Sequence, residues 1–225
     1  MAAGRWTVAL LVLGGAALFG LSLQHLRDEA APYLLGGIGA EQRFESIVAG
    51  ELRPASSRWS KDLFLNDCLT VPRSIYGLLR PSAVKLEFAE ACRTAATAIT
   101  TESPVNSLAW LVVARSAGEL GDLALVRESM LQARRTAPDV QWLAARRTLV
   151  LDQYTELNER LSDPGYLADL MVMMRGPEAT RELAGRYLKN PGLRGILTKA
   201  AELSDPDRQR AFLGEVRQQA ARNRS

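Results

Sequence analysis

SLAWLVVARSAGELGDLALVRESMLQARRTAP, residues 107–138, is the stretch on which the reading of the fold turns. No strand-like alternation of apolar and polar side chains runs through it. Gly121 stands near its middle beside Asp122, and glycine reaches the left-handed backbone that a tight turn between two helices requires. Ala114 on one side and Ala133 on the other are small enough to let paired helices approach closely. Trp110 is large enough to fill the gap between neighbouring pairs. The stretch closes on Pro138, and Pro104 precedes that residue by 34 positions. The expectation is a helical hairpin within an all-α chain.

That period and those residues resemble a tetratricopeptide repeat. Pro104, Trp110, Ala114, Gly121, Asp122, Ala133 and Pro138 stand at the positions that the repeat's helices, turn and closing proline occupy. The likeness is good over 105–138 and loose elsewhere: Ile99 stands where a small residue is expected, Pro81 interrupts a first helix, and Trp142 follows Pro138 too soon. The resemblance implies a helical-hairpin array that binds partners on a concave face lined by its inner helices. On this chain those partner-binding positions are Leu108, Leu111, Arg115 and Arg147, with Arg146 nearby to favour acidic groups. The alternative for the arginines is solvation, or pairing with Glu119, Asp122 and Asp152.

From Trp59 onward the chain reads as helices punctuated by prolines: Arg80-Pro81, Ser103-Pro104, Ala137-Pro138, Asp163-Pro164, Gly176-Pro177, Asn190-Pro191 and Asp205-Pro206. Proline is tolerated in a helix's first turn, and Ser, Asp or Asn before it can cap free amides. The C-terminal helices are expected at 166–175, 177–190, 193–203 and 206–222. Cys68 and Cys92 lie symmetrically about Arg80-Pro81. A hairpin of 59–79 and 82–99, kinked at Pro72, sets them face to face for a disulfide, which an oxidising compartment permits. Two buried free thiols are the alternative.

Before this body lies WTVALLVLGGAALFGLSL, Trp6 to Leu23, without a charge. As a helix it measures roughly 27 Å, close to the apolar thickness of a bilayer. Arg5 precedes it while Asp28 and Glu29 offset Arg27 beyond it, which predicts a cytoplasmic N-terminus. The apolar run exceeds a signal peptide's core, and Gly20-Leu21-Ser22 is a poor cleavage site, so the expectation is an uncleaved anchor within 1–26. Gly14, Ala16 and Gly20 make a small-residue patch through which two such helices can form a homodimer. Residues 27–58 read as a stalk, interrupted at Pro32, Gly36, Gly37 and Gly39, with a short amphipathic helix carrying Phe44, Ile47, Val48 and Leu52. The domain proper is expected over 59–225.

The charge balance, 28 basic against 25 acidic side chains, is too even to argue for nucleic acid. A single histidine, His25, removes most zinc sites and most histidine-based catalysis. No phosphate-binding, nucleophile-elbow or metalloprotease motif occurs, and Gly36-Gly37-Ile38-Gly39 reads as a hinge. Glu45-Ser46 and Glu102-Ser103 are similar to the dipeptide at the catalytic acid of lytic transglycosylases, but that family's Gly-Leu-Met-Gln partner is missing. No cofactor or metal is expected, and the chain does not read as an enzyme. The 24 arginines against 4 lysines suggest a GC-rich bacterial genome by association. Together these readings predict a single-pass inner-membrane protein with a periplasmic helical domain. Its expected role is scaffolding other envelope proteins, with cell-surface polysaccharide synthesis or export as the specific expectation. Direct binding of an acidic glycan or lipid by the arginines is the alternative, and a peptidoglycan-cleaving enzyme is a third.

Overall fold

The computed structural model describes residues 3–36 and 39–223, with no description of the side chains of 3–11, 31–32 and 35–36. Thirteen α-helices, two 3-10 turns and no strand occur among the described residues. The chain divides into two compact units, Met1–Ala91 and Cys92–Ser225.

The first unit holds α1 (Ala3–Gly36), α2 (Ala40–Val48), α3 (Arg58–Thr70), a 3-10 turn (Val71–Arg73), α4 (Ile75–Leu79) and the start of α5 (Ser82–Glu102). The expected stalk is not one. Phe44, Ile47 and Leu52 are buried, and Phe44 stacks on Phe88 of α5 at 4.4 Å and meets Tyr76 of α4 edge-on at 6.0 Å. An apolar face this complete is worth more packed than solvated, so 40–52 joins the core. Helix α1 also continues through Pro32, against the expectation of an interruption there. Proline removes only one backbone donor, and α1 ends within a turn of it. The expected hinge at Gly37 and Ile38 lies outside the described residues. Pro72, by contrast, ends α3 instead of kinking it, and the helix restarts at α4 under the Ser74 hydroxyl, which accepts from the Gly77 amide at 3.1 Å. Gly77 is required there: a Cβ would meet the Pro72 Cα and the Val71 carbonyl at 2.6 Å.

Glu29 locks α1 to this body. Its carboxylate accepts from the Ser57 amide at 2.7 Å and the Ser56 hydroxyl at 3.0 Å. The Ser57 bond foremost, with those of Ser56, holds it below the usual carboxylate range. At the far end of α3, Arg43 of α2 pairs with Asp67 at 2.8 Å. Burial nonetheless raises the Asp67 carboxyl, with the Arg43 hydrogen bond opposing it.

N-terminal to Glu29 the helix is bare. Every residue from Val12 to Asp28 is exposed, including Leu13, Leu18 and Phe19. No helix among the described residues is long and apolar enough to cross a membrane. The expected span begins at Trp6, and the side chains of residues 6–11 lie outside the description.

In the second unit α5 finishes and is followed by α6 (Ser107–Glu119), α7 (Leu123–Thr136), α8 (Gln141–Tyr154), α9 (Leu157–Ser162), α10 (Pro164–Met173), α11 (Pro177–Lys189), a 3-10 turn (Pro191–Leu193), α12 (Arg194–Glu202) and α13 (Pro206–Arg222). Helices α6 and α7 make the most extensive pairing, then α11 with α13 and α8 with α10. Gly121, at φ +81°, closes α6: its amide donates to the Gly118 carbonyl at 3.2 Å and that of Asp122 to the Ala117 carbonyl at 2.9 Å, satisfying two carbonyls of the last turn. Asp122 then caps α7, accepting from the Leu125 amide at 3.0 Å. Asp163 and Asp205 cap the proline-led helices α10 and α13 in the same way. At Pro104 and Pro138 the helix waits instead for Ser107 and Gln141. Both cysteines are disulfide-bonded, and as the only two in the chain they bridge α3 to α5.

Candidate functional site

The charged residues of the second unit organise around one buried carboxylate. Arg147 projects from α8 and its side chain is fully buried; so is Asp169 of α10, at 2% exposure. Arg147 donates to Asp169 through Nε at 2.8 Å and lies 2.6 Å from it through Nη2. Its Nη1 donates to the Ala137 carbonyl at 3.0 Å and the Ala133 carbonyl at 3.4 Å, the last carbonyls of α7. A cation at a helix C-terminus meets the negative end of the helix dipole. Arg134 of α7 adds a second guanidinium, donating to Asp169 through Nε and to Asp163 through Nη2, each at 3.0 Å. A buried charge is tolerated only when paired and fully hydrogen-bonded, and this cluster meets the condition.

The expected partner-binding face is therefore corrected. Leu108, Leu111, Arg115 and Arg147 are all buried. Leu108 and Leu111 form the apolar seam of the hairpin, Arg147 ties α7, α8 and α10 together, and Arg115 lies close enough to Tyr154 for its charge to act on that hydroxyl. Helical spacing marks these side chains as sharing a face, and that face is the core. Of the repeat positions, Ala114 and Ala133 are fully buried, and the half-buried Trp110 donates from Nε1 to the Pro104 carbonyl at 2.7 Å. Tyr154 of α8 lies across Gly118 of α6, where a Cβ would come within 2.4 Å of the ring. Its hydroxyl donates to Glu119 at 2.7 Å and is pushed up by burial. A Cβ added at Gly14 or Gly20 would meet no described atom within 4 Å beyond its own helix backbone and chain neighbours.

An open groove of about 260 Å³ lies between α7, the end of α8 and α9. Met130, Leu131 and Leu151 form its apolar floor, and Arg127, Arg134, Arg160, Glu159 and Asp163 are charged groups at its walls. Arg127 pairs with Glu159 across it at 2.6 Å, which holds that carboxyl below its usual range. Arg160 turns inward to donate to the carbonyls that end α8, that of Thr155 at 2.5 Å. The groove has no hydroxyl or thiol beside a free base: the Thr155 hydroxyl donates to the Leu151 carbonyl at 2.7 Å. Sequence reading missed the groove, although Arg127, Met130, Leu131 and Arg134 recur at the spacing of one helix face.

The other expected chemistry is dispersed. Glu45 accepts from the Tyr76 hydroxyl at 2.5 Å and pairs with Arg80, while Glu102 is exposed on α5. His25 is exposed on α1. No group of three metal-capable side chains occurs among the described residues. Of the arginines expected on a binding face, Arg147 pairs with Asp169 and Arg146 lies over the Trp142 ring at 5.6 Å; elsewhere Arg175 pairs with Asp139 at 2.7 Å and Arg186 with Asp152 at 2.9 Å. No family model, no curated protein and no solved structure matches the chain.

Proposed function

We propose that the chain is an anchored adaptor: α1 is held in the inner membrane of a bacterium, and the helical body, a tetratricopeptide-like array, binds another subunit of an envelope complex. The observation that carries this reading is the bareness of α1. Val12, Leu13, Leu18, Phe19, Leu21, Leu23 and Leu26 are each at least half exposed, and no described part of the chain covers them. A contiguous apolar surface of that kind on a helix is tolerated in lipid or against a partner, not in water. The uncharged run from Trp6 to Leu23 is long enough for a bilayer. Beyond it the helix turns polar and is fastened by Glu29 to the loop before α3, within the first unit.

The adaptor reading is supported by the way the buried charge cluster of the second unit serves the fold. Asp169, Arg147 and Arg134 satisfy one another and the end of α7. Machinery for cell-surface polysaccharide synthesis or export is where we would look first. The test is a mild-detergent pull-down of the full chain from its own membranes. A stoichiometric protein partner is expected, and a chain recovered alone would overturn the adaptor reading.

A further inference from the structure

Helix α4 wears its apolar side outward. Tyr76 and Gly77 face the body, Tyr76 against Phe44 and Gly77 against Pro72. Ile75, Leu78 and Leu79, at the i, i+3 and i+4 positions that share a helix face, are 79%, 61% and 80% exposed. Leu86, at the start of α5, is also exposed. Isolated apolar residues on a surface need no explanation, but three on one face of a five-residue helix form a patch.

The acidic groups beside α4 lie on its inner side, where Glu45 of α2 accepts from Tyr76 and pairs with Arg80 and the charge of Glu41 acts on Tyr76. No acidic residue occurs between Asp67 and Glu87, whereas Arg73, Arg80 and Lys85 do. Arg73 is exposed. Lys85 reaches back to donate to the Leu78 carbonyl at 2.8 Å, which fixes its ammonium at the edge of the patch. Arg80 is partly neutralised by Glu45 beneath.

The place of the patch decides between lipid and protein. Helix α3 starts beside Glu29 and ends beside Arg43, a residue that follows the C-terminal end of α1. It therefore leads from Glu29 toward the residues that follow α1, over a helix roughly 20 Å long. Helix α4 comes after that, remote from the proposed membrane segment.

We propose that the α4 face, Ile75, Leu78 and Leu79 edged by Arg73 and Lys85, docks an acidic amphipathic helix of the partner protein, with apolar side chains flanked by carboxylates. This names the partner chemistry of the adaptor reading and rests on it. Apolar contact supplies the affinity, and the basic edge formed by Arg73 and Lys85 selects a partner of opposite charge.

The test places a photo-crosslinking amino acid at Leu79 in the full chain, expressed in its own membranes, with Leu213 as a control position of comparable chemistry on α13 (49% exposed). The expected result is an adduct at 79 and not at 213, whose sequenced partner peptide carries Asp or Glu within one turn of apolar residues. Reversing the rim, Arg73→Glu with Lys85→Glu, should lower its yield about fivefold, the scale of two exposed charge pairs lost and replaced by repulsion. Arg73 is exposed and Lys85 is half-buried against the end of α4, and unchanged circular dichroism would confirm folding. A lipid adduct, no adduct, a partner peptide without carboxylates, or a yield indifferent to charge reversal would each overturn the proposal. An acidic-peptide adduct from a chain that alkaline carbonate strips off the membrane would retain the docking face while removing the anchor.

Discussion

Replacing Asp169 by alanine should destabilise the second unit far more than the loss of any of its exposed ion pairs. The loss follows from what Arg147 would be left with. Its guanidinium is fully buried, and its Nε and Nη2 both face Asp169. Without that carboxylate it retains the Ala137 carbonyl at 3.0 Å and longer contacts to Ala133 and Pro138, which are dipoles and not a counter-charge. Arg134 loses one partner but keeps Asp163. Removing one member of a buried ion pair costs about 3–5 kcal/mol. Against a typical total of about 5–15 kcal/mol that is roughly a fifth of the stability or more. Denaturant unfolding followed by the fluorescence of Trp110 and Trp142, both in this unit, should show the unfolding free energy falling by that amount. A heat-induced transition should fall by about 10 °C. Asp139→Ala, which breaks the exposed pair with Arg175, is the control and should cost under about 1 kcal/mol. If Asp169→Ala cost no more than Asp139→Ala, the buried cluster would not hold α7, α8 and α10 as described. The double replacement Arg147→Met with Asp169→Leu should recover most of the loss, since no unpaired charge then remains.

Other perturbations test separate parts of the fold. Ser129 on α7 is fully buried and its hydroxyl has no hydrogen-bond partner, so Ser129→Ala should raise stability by about 1 kcal/mol in the same unfolding assay. Gly118→Ala should lower it by about 1–3 kcal/mol, because the added methyl meets the Tyr154 ring. Burial raises the hydroxyls of Tyr154 and Tyr166 above their ordinary value. The unfolded chain then releases those protons first, so their stability contribution is intact below about pH 10 and is lost as pH rises further. Tyr154→Phe and Tyr166→Phe should each flatten that alkaline decline in a pH series of unfolding midpoints. Reduction of the disulfide should destabilise the chain by roughly 3 kcal/mol, read as a lower midpoint in the presence of reductant.

The helical hairpin at 107–136 is legible in the sequence because its determinants are local. Gly121 alone satisfies the turn's backbone demand, and Asp122 caps the next helix from the adjoining position. The cysteine pairing is legible for a similar reason, symmetry about one turn. What escapes is tertiary. Arg115 and Arg147 read as surface residues since arginine is rarely buried, and nothing near them in sequence announces Asp169, which lies 22 residues beyond Arg147. The stalk misleads likewise: the short helix with Phe44 and Ile47 shows an apolar face, but its partner Phe88 lies far along the chain. Pro32 reads as a breaker from its chemistry, while its position close to the end of α1 makes it tolerable. The groove at Arg127 and Arg134 depends on how α9 folds back, which no local pattern carries.

The anchor is tested most directly by membrane partition. Membranes bearing the full chain would be washed with alkaline carbonate, beside a variant with Leu13→Arg and Leu18→Arg. Each arginine adds about 2.5–3.5 kcal/mol to the cost of placing the helix in the bilayer. The expected result is that the native chain stays in the pellet and the double variant moves to the supernatant, still folded. A native chain released by carbonate, or a double variant retained as firmly as the native one, would contradict an α1 held in lipid and assign its bare apolar face to a protein partner.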